Sequence, residues 1–106
     1  MQTIGTITKS VTLAEEEYTF TVTAPIVNLN GASKESLIEQ QLGVLTVIAD
    51  LIDAMGAASP HGRDFQFVDA NGSLFRAAAD EHRAELITLH LMKARHRAIL
   101  ESLSEA

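Results

Sequence analysis

The sequence predicts an α+β fold, with an N-terminal antiparallel β-hairpin followed by a long antiparallel αα-hairpin, assembled into a homo-oligomer. Three observations predict it: apolar and hydroxyl side chains alternate near the N-terminus, an unusually apolar helical stretch fills the middle, and a heptad pattern runs through the last third. A chain of 106 residues fits one domain. We expect that domain to comprise a β-hairpin over 1–27, a first helix over 33–56, a connector over 57–72 and a second helix over 73–104.

The hairpin prediction depends on strict alternation in its second strand. Tyr18, Phe20 and Val22 alternate with threonines, which places the apolar side chains on one face and the hydroxyls on the other. The connecting segment 14–17 is charged and has no glycine, so we expect a loop of about four residues rather than a tight turn. Because a lone hairpin is marginal in water, its apolar face should pack on the helices, or its edges should pair with strands of another chain.

The first helix should begin after Ser33 as N-cap, with Glu35 in its first turn, and end at Gly56 as C-cap. Its apolar residues cover well over half of the circumference; they are Leu37, Ile38, Leu42, Val44, Leu45, Val47, Ile48, Leu51, Ile52 and Met55. In a small monomer the apolar stripe is usually little wider than about 100°. We therefore expect cover from two sides, by the hairpin or by an identical subunit. The expected oligomer interface comprises Leu45, Ile48, Ile52 and Leu89.

The second helix, capped by Ser73, carries two heptad series. The first predicts packing against a partner helix and comprises Phe75, His82, Leu89, His96 and Leu103. The second forms a cationic flank of Arg76, Arg83, His90 and Arg97. Two interpretations of this flank stay open: intrahelical ion pairs with Asp80 and Glu101, or an anion-binding surface.

The connector supplies the other candidate binding residues. In it, Gly62 lies between His61 and Arg63, where a glycine lets the backbone approach a ligand closely, although Arg63 and Asp64 could equally stabilise the connection between the helices. The combined candidate ligand site comprises His61, Arg63, Asp64, Arg83, His90 and Arg97.

Composition narrows the function classes. A net charge of −6 disfavours a general nucleic-acid binder, and the lack of cysteine excludes disulfides and thiolate metal sites. His82 and His96 lie too far apart to share one metal ion within a single helix, although two chains side by side could bring symmetry-related histidines together. We expect instead that each bonds a carboxylate such as Asp53 or Glu85. We find no catalytic motif, secretory signal or membrane-spanning run, and therefore expect a cytoplasmic, non-enzymatic protein that uses no metal or cofactor.

Three segments carry a resemblance to a known group of proteins. The segment 29–40 reads LNGASKESLIEQ, the segment 59–65 reads SPHGRDF, and Glu81-His82-Arg83 lies within the long helix. Over residues 28 to about 100 the chain resembles small uncharacterised proteins of phage and prophage genomes. Their connector more often reads Asn-Gly-Arg-Asp followed by tyrosines, whereas His61 and Phe65 occupy those positions here. The resemblance implies a bacterial or phage setting and no particular activity.

From these observations we expect a non-catalytic, phage-type protein that acts through protein–protein interaction or assembly as a homo-oligomer. Its partners would be copies of itself and possibly another protein, with no membrane and no nucleic acid. The alternative is a binding module that sequesters a small anionic, nucleotide-like ligand, for example a phage inhibitor of host defence. An enzyme ranks third.

Overall fold

The computed structural model describes residues 5–25, 33–65 and 72–105. It confirms the predicted α+β architecture of an antiparallel β-hairpin followed by two long helices that pack together. The elements are β1 (Thr6–Leu13), β2 (Glu16–Thr23), α1 (Lys34–Ala57), a short 3-10 turn (Gly62–Asp64) and α2 (Ser73–Glu105).

The two strands pair without a bulge, from Thr6 opposite Thr23 to Leu13 opposite Glu16. A two-residue turn joins them, and both of its residues have positive φ, 51° at Ala14 and 67° at Glu15. The predicted four-residue loop is therefore wrong. Positive φ at both central positions gives the type I′ twist that matches the right-handed twist of the strands, even though neither residue is glycine.

Replacing Ala14 with Asn and Glu15 with Gly should stabilise the protein by about 1 kcal/mol, because these residues adopt positive φ at lower cost. In a domain of this size we expect the melting temperature to rise by about 4–8 °C. The control is Glu16→Gly, which lies in β2 and should lower the melting temperature. A lower melting temperature for the double variant would contradict this description of the turn.

The two faces of the hairpin differ as the alternation predicts. Val22 is buried and Tyr18 and Phe20 are half-buried, whereas the threonines of β2 are exposed. On the exposed face, hydroxyl groups meet across the strands, with Thr8 Oγ1 and Thr21 Oγ1 3.1 Å apart. Each such cross-strand pair contributes a few tenths of a kcal/mol.

The hairpin packs on the C-terminal half of α2 rather than supplying the second cover for α1. The Lys9 ammonium lies 3.1 Å from a carboxylate oxygen of Glu101, and Arg95 Nη1 donates a 2.8 Å hydrogen bond to the carbonyl oxygen of Thr21. Val22, Ala24, Ala98 and Leu103 are each at most 5% exposed. Four of the five buried apolar side chains among the described residues therefore lie at the end of β2 or in the last turns of α2.

The two helices run antiparallel. In the first half of α1, Gln41 Oε1 accepts a 2.7 Å hydrogen bond from His96 Nδ1. Just beyond the end of α1, Ser59 contacts His82, which precedes His96 by fourteen residues in α2. Ile48, 5% exposed, is buried between these two contacts.

The helix ends agree only partly with prediction. Ser33 is the N-cap of α1, since its Oγ accepts a 3.1 Å hydrogen bond from the Ser36 N–H. The C-cap is Ala58 rather than Gly56, because α1 continues through the glycine and the Ala58 N–H bonds carbonyls of the last turn. Ser73 is the first residue of α2 rather than its cap, and Gly72, with φ of 76°, precedes it. Residues 29–32 of the quoted segment 29–40 and residues 66–71 of the predicted connector lie outside the described residues.

Candidate functional site

Helix α1 carries two heptad seams that lie one residue apart in sequence. The seam toward α2, which we name the inner face, comprises Gln41, Leu45, Ile48, Ile52 and Met55. A second seam, which we name the outer face, comprises Gln40, Val44, Val47, Leu51 and Ala54. One residue rotates a helix by about 100°, so the two faces point in different directions. The wide apolar surface predicted from sequence therefore comprises two neighbouring faces of α1, of which α2 covers one.

The outer face is exposed in the protomer. Val47 is 66% exposed and Leu51 45%, whereas the neighbouring Ile48 is 5% exposed. A shallow groove runs beside these side chains because Gly43 leaves open space, with no atom within 4 Å of where its Cβ would be. The groove is lined by Glu39, Gln40, Gly43, Val44, Val47 and Ile48. A second helix could approach α1 closely at this glycine.

The residues predicted as the oligomer interface lie elsewhere. Leu45, Ile48 and Ile52 belong to the inner face, and Leu89 is half-buried in α2. The outer face holds three of the six exposed large apolar side chains of the described residues, Val44, Val47 and Leu51. Val44, Val47 and Leu51 belong to the apolar set predicted for the first helix, which was not divided into faces. The 4-3-4-3 spacing of 40, 44, 47, 51 and 54 was the signal that could have distinguished the outer face.

The connector is anchored to α2 at two places. Ser59 Oγ lies 3.3 Å from His82 Nε2, and the Phe65 ring packs on the Phe75 ring with centroids 6.3 Å apart. Between these anchors the 3-10 turn exposes His61, Arg63 and Asp64. The sequence-predicted connector residues are thus presented to solvent on a segment held at both ends.

The Ser59–His82 contact is not an activated nucleophile. While the Ser59 hydroxyl donates its 2.8 Å hydrogen bond to the Gly56 carbonyl oxygen, it can only accept from His82, which requires the histidine tautomer with the proton on Nε2. A nucleophilic serine instead donates its proton to the base. The contact fixes the connector rather than preparing Ser59 for attack.

The cationic flank is only partly explained by intrahelical ion pairs. Arg83 Nη2 lies 2.9 Å from Asp80 Oδ1, as predicted, and both side chains are at least 65% exposed, so the pair contributes little stability. Glu101 bonds Lys9 of the hairpin instead of Arg97. Within residues 5–25, 33–65 and 72–105, neither Arg76 nor Arg97 has an ion-pair partner.

The six predicted ligand-binding residues do not converge within one chain. Arg83 follows His82 in sequence and so lies near the start of the connector, but Arg97 lies fourteen residues further, about 21 Å along the helix axis. His90 is half-buried between them. One protomer therefore offers two separate cationic regions, about 21 Å apart along α2.

The histidines of the helix seam bond neutral groups. We expected carboxylate partners such as Asp53 or Glu85, but His82 contacts a hydroxyl and His96 contacts an amide oxygen. In the part of the chain that the structure describes, no three His, Asp or Glu side chains are grouped to hold a metal ion. None of the described helices combines the length and the apolar character that crossing a bilayer requires.

Protein-family models, curated proteins and solved structures were all compared with the chain, and none of them matches it.

Proposed function

We propose that the protein is a non-catalytic interaction or assembly protein that functions as a homo-oligomer, with the outer face of α1 binding a second copy of the chain. The observation that carries this proposal is the exposed heptad seam of Val44, Val47 and Leu51, next to an equivalent seam that already packs on a helix. A seam with this spacing fits another helix, and an identical subunit supplies one with the same spacing.

The free energy of burying the outer face indicates that a stable oligomer needs a further interface between subunits. Fully burying a Val or Leu side chain contributes about 1.5–3 kcal/mol, and these three are already partly covered, so each contributes about 1 kcal/mol. Two copies of the outer face then contribute about 6 kcal/mol, against an association cost of about 4–15 kcal/mol. The outer face alone would support only weak pairing, and additional contacts between subunits are needed for a stable oligomer.

The experiment that tests this proposal is native mass spectrometry of the full chain, combined with sedimentation at several concentrations. The expected result is a mass of at least twice the 11.4 kDa of one chain. A monomer throughout the accessible concentration range would overturn the proposal, and it would leave a helix of another protein as the occupant of the outer face.

The resemblance to phage and prophage proteins bears on the source of the protein and on where it acts. It supports a phage-encoded or bacterial protein that acts in the cytoplasm of the bacterial host, where another protein could join the assembly. Expression with a pulldown from host cytoplasm, comparing the wild type with a variant altered on the outer face, would show whether any partner depends on that face.

A second candidate function is sequestration of a small anionic, nucleotide-like ligand. The observation that favours it is the pair of cationic regions, because Arg63 and Arg97 are exposed and no described carboxylate neutralises either guanidinium. Exposed guanidinium groups bind phosphate with paired hydrogen bonds. Since the two regions are far apart in one chain, a compact ligand would contact both only if two subunits brought them together.

Thermal denaturation with a panel of nucleoside mono-, di- and triphosphates tests the second candidate. A ligand at about 100 times its dissociation constant should stabilise the protein by about 2.7 kcal/mol. Arg63→Gln or Arg97→Gln should remove this stabilisation without changing the oligomer mass, while the control Arg63→Lys keeps the charge and should retain part of it. Stabilisation that persists in both Gln variants, or no stabilisation by any panel member, would exclude this site.

A further inference from the structure

We infer that the free edge of β1 pairs with β1 of a second copy, forming a four-stranded antiparallel sheet across a twofold axis at Ser10. This interface lies on the hairpin and is separate from the outer face of α1. Because the outer face alone would support only weak pairing, β1 pairing would supply the additional contact between subunits that a stable oligomer needs. The geometry of the β1 interface does not depend on the outer face.

The hairpin register determines which backbone groups of β1 point outward. The Ala24 N–H bonds the Gly5 carbonyl oxygen, so the pair of Gly5 and Ala24 is a hydrogen-bonded pair of the ladder. Hydrogen-bonded and non-hydrogen-bonded pairs alternate along antiparallel strands. The β1 residues whose N–H and C=O groups point away from β2 are therefore Thr6, Thr8, Ser10 and Thr12.

The two edges of the hairpin are not equivalent. On the β2 edge, Arg95 of α2 donates to the outward carbonyl oxygen of Thr21, which obstructs the approach of another strand. On the β1 edge, no hydrogen bond from any described residue reaches the outward backbone groups. The structure thus protects one edge and leaves the other open for pairing.

β1 carries only one of the devices that usually prevent edge pairing, an inward-pointing charge at Lys9. It is eight residues long, contains no proline and pairs with β2 without a bulge. Its one charged residue, Lys9, lies on the apolar face, where the ammonium bonds Glu101 beneath the sheet. An identical strand is the occupant that fits, because a second β1 presents the same open ladder and the same short hydroxyl side chains.

Symmetry and charge select the register. Outward-pointing residues must pair with outward-pointing residues, so the twofold axis passes through a residue of β1. An axis at Lys9 would place two ammonium groups directly opposite each other, which is unfavourable. An axis at Thr8 would pair only residues 6–10 within the two β1 strands, and an axis at Val11 only residues 9–13, whereas an axis at Ser10 pairs residues 7–13.

An axis at Ser10 avoids both problems. It places Ile7 opposite Leu13 and Lys9 opposite Val11 of the other copy, so that two half-buried apolar residues cover each other. Outward groups then pair at Ser10 with Ser10 and at Thr8 with Thr12, giving about six backbone hydrogen bonds.

Cysteine cross-linking tests the interface and its register, because the chain has no native cysteine. In the Ser10→Cys variant the paired Cα atoms would lie about 5.5 Å apart, within the range for a disulfide. Single Thr8→Cys and Thr12→Cys variants would hold their symmetry-related cysteines about 13 Å apart, too far for a disulfide. The matched control is Thr19→Cys, which is opposite Ser10 within the same hairpin, on the same exposed face and on the other edge.

After mild oxidation of the full-length variants, we expect Ser10→Cys to form covalent dimers at least ten times faster than Thr19→Cys, Thr8→Cys or Thr12→Cys alone. An equimolar mixture of Thr8→Cys and Thr12→Cys should form mixed dimers. Equal rates for Ser10→Cys and Thr19→Cys, or faster cross-linking of Thr8→Cys than of Ser10→Cys, would overturn the inference. Adding Val47→Glu to Ser10→Cys separates the two interfaces: cross-linking that persists in a variant lacking the α1 contact shows that β1 pairs independently.

Discussion

A glutamate in place of Val47 is expected to weaken self-association at least 100-fold while leaving the protomer folded. Val47 is 66% exposed in the protomer, so the substitution changes the free energy of unfolding by about 0.5 kcal/mol or less. In the proposed oligomer the carboxylate would be buried against apolar side chains of the second copy. A 100-fold effect corresponds to about 2.7 kcal/mol, which is within the cost of burying an uncompensated polar group.

Sedimentation and native mass spectrometry at matched concentrations measure this effect. The control is Thr46→Glu, which adds the same charge one residue earlier, at an exposed position turned about 100° away from Val47. Thr46→Glu should keep the wild-type oligomer mass. If both variants retain that mass, the outer face of α1 is not the interface.

Replacing the next residue, Ile48, with aspartate should instead unfold the protein. Ile48 is 5% exposed on the inner face of α1, and the substitution removes its apolar contacts and places a carboxylate between the helices. The expected loss is at least about 4 kcal/mol, against a total stability of about 5–15 kcal/mol for a small domain. The melting temperature should fall by about 15–30 °C, with most of the helical circular dichroism lost at 37 °C.

Ile48→Val is the matched control, because it removes one methylene group and should cost only about 0.5–1.5 kcal/mol. An Ile48→Asp variant that melts at the wild-type temperature would show that Ile48 is not packed between the helices. Together, Val47→Glu and Ile48→Asp distinguish oligomer contacts from protomer contacts with substitutions at adjacent positions.

The helices and strands could be predicted from the sequence more accurately than the way in which they pack on one another. Alternation in β2 and the heptad pattern of α2 are local signals, and both correspond to elements of the structure. The turn at Ala14 and Glu15 was missed because neither residue type favours positive φ. The pairing of the flanking strands imposes that conformation, and a residue-by-residue reading cannot detect it.

Docking of the hairpin was also beyond sequence reasoning. The apolar face of Tyr18, Phe20 and Val22 could have packed on either helix, and the contacts that select α2 join Lys9 to Glu101 and Arg95 to Thr21. In each of these two contacts, the two residues are more than seventy positions apart in the sequence. The same docking removes Glu101 from its expected partner Arg97, which changes the interpretation of the cationic flank.

The position of α2 between its two neighbours has a consequence for folding cooperativity. Near residues 95–103, α2 contacts the hairpin at Glu101 and at Arg95, while His96 bonds α1. We expect the hairpin to open without separating the helices, and amide hydrogen exchange should report it as a partly independent opening unit. Protection should be greatest around Ala98, which is 2% exposed. Energetic communication between the strands and α1 thus passes through about two and a half turns of one helix.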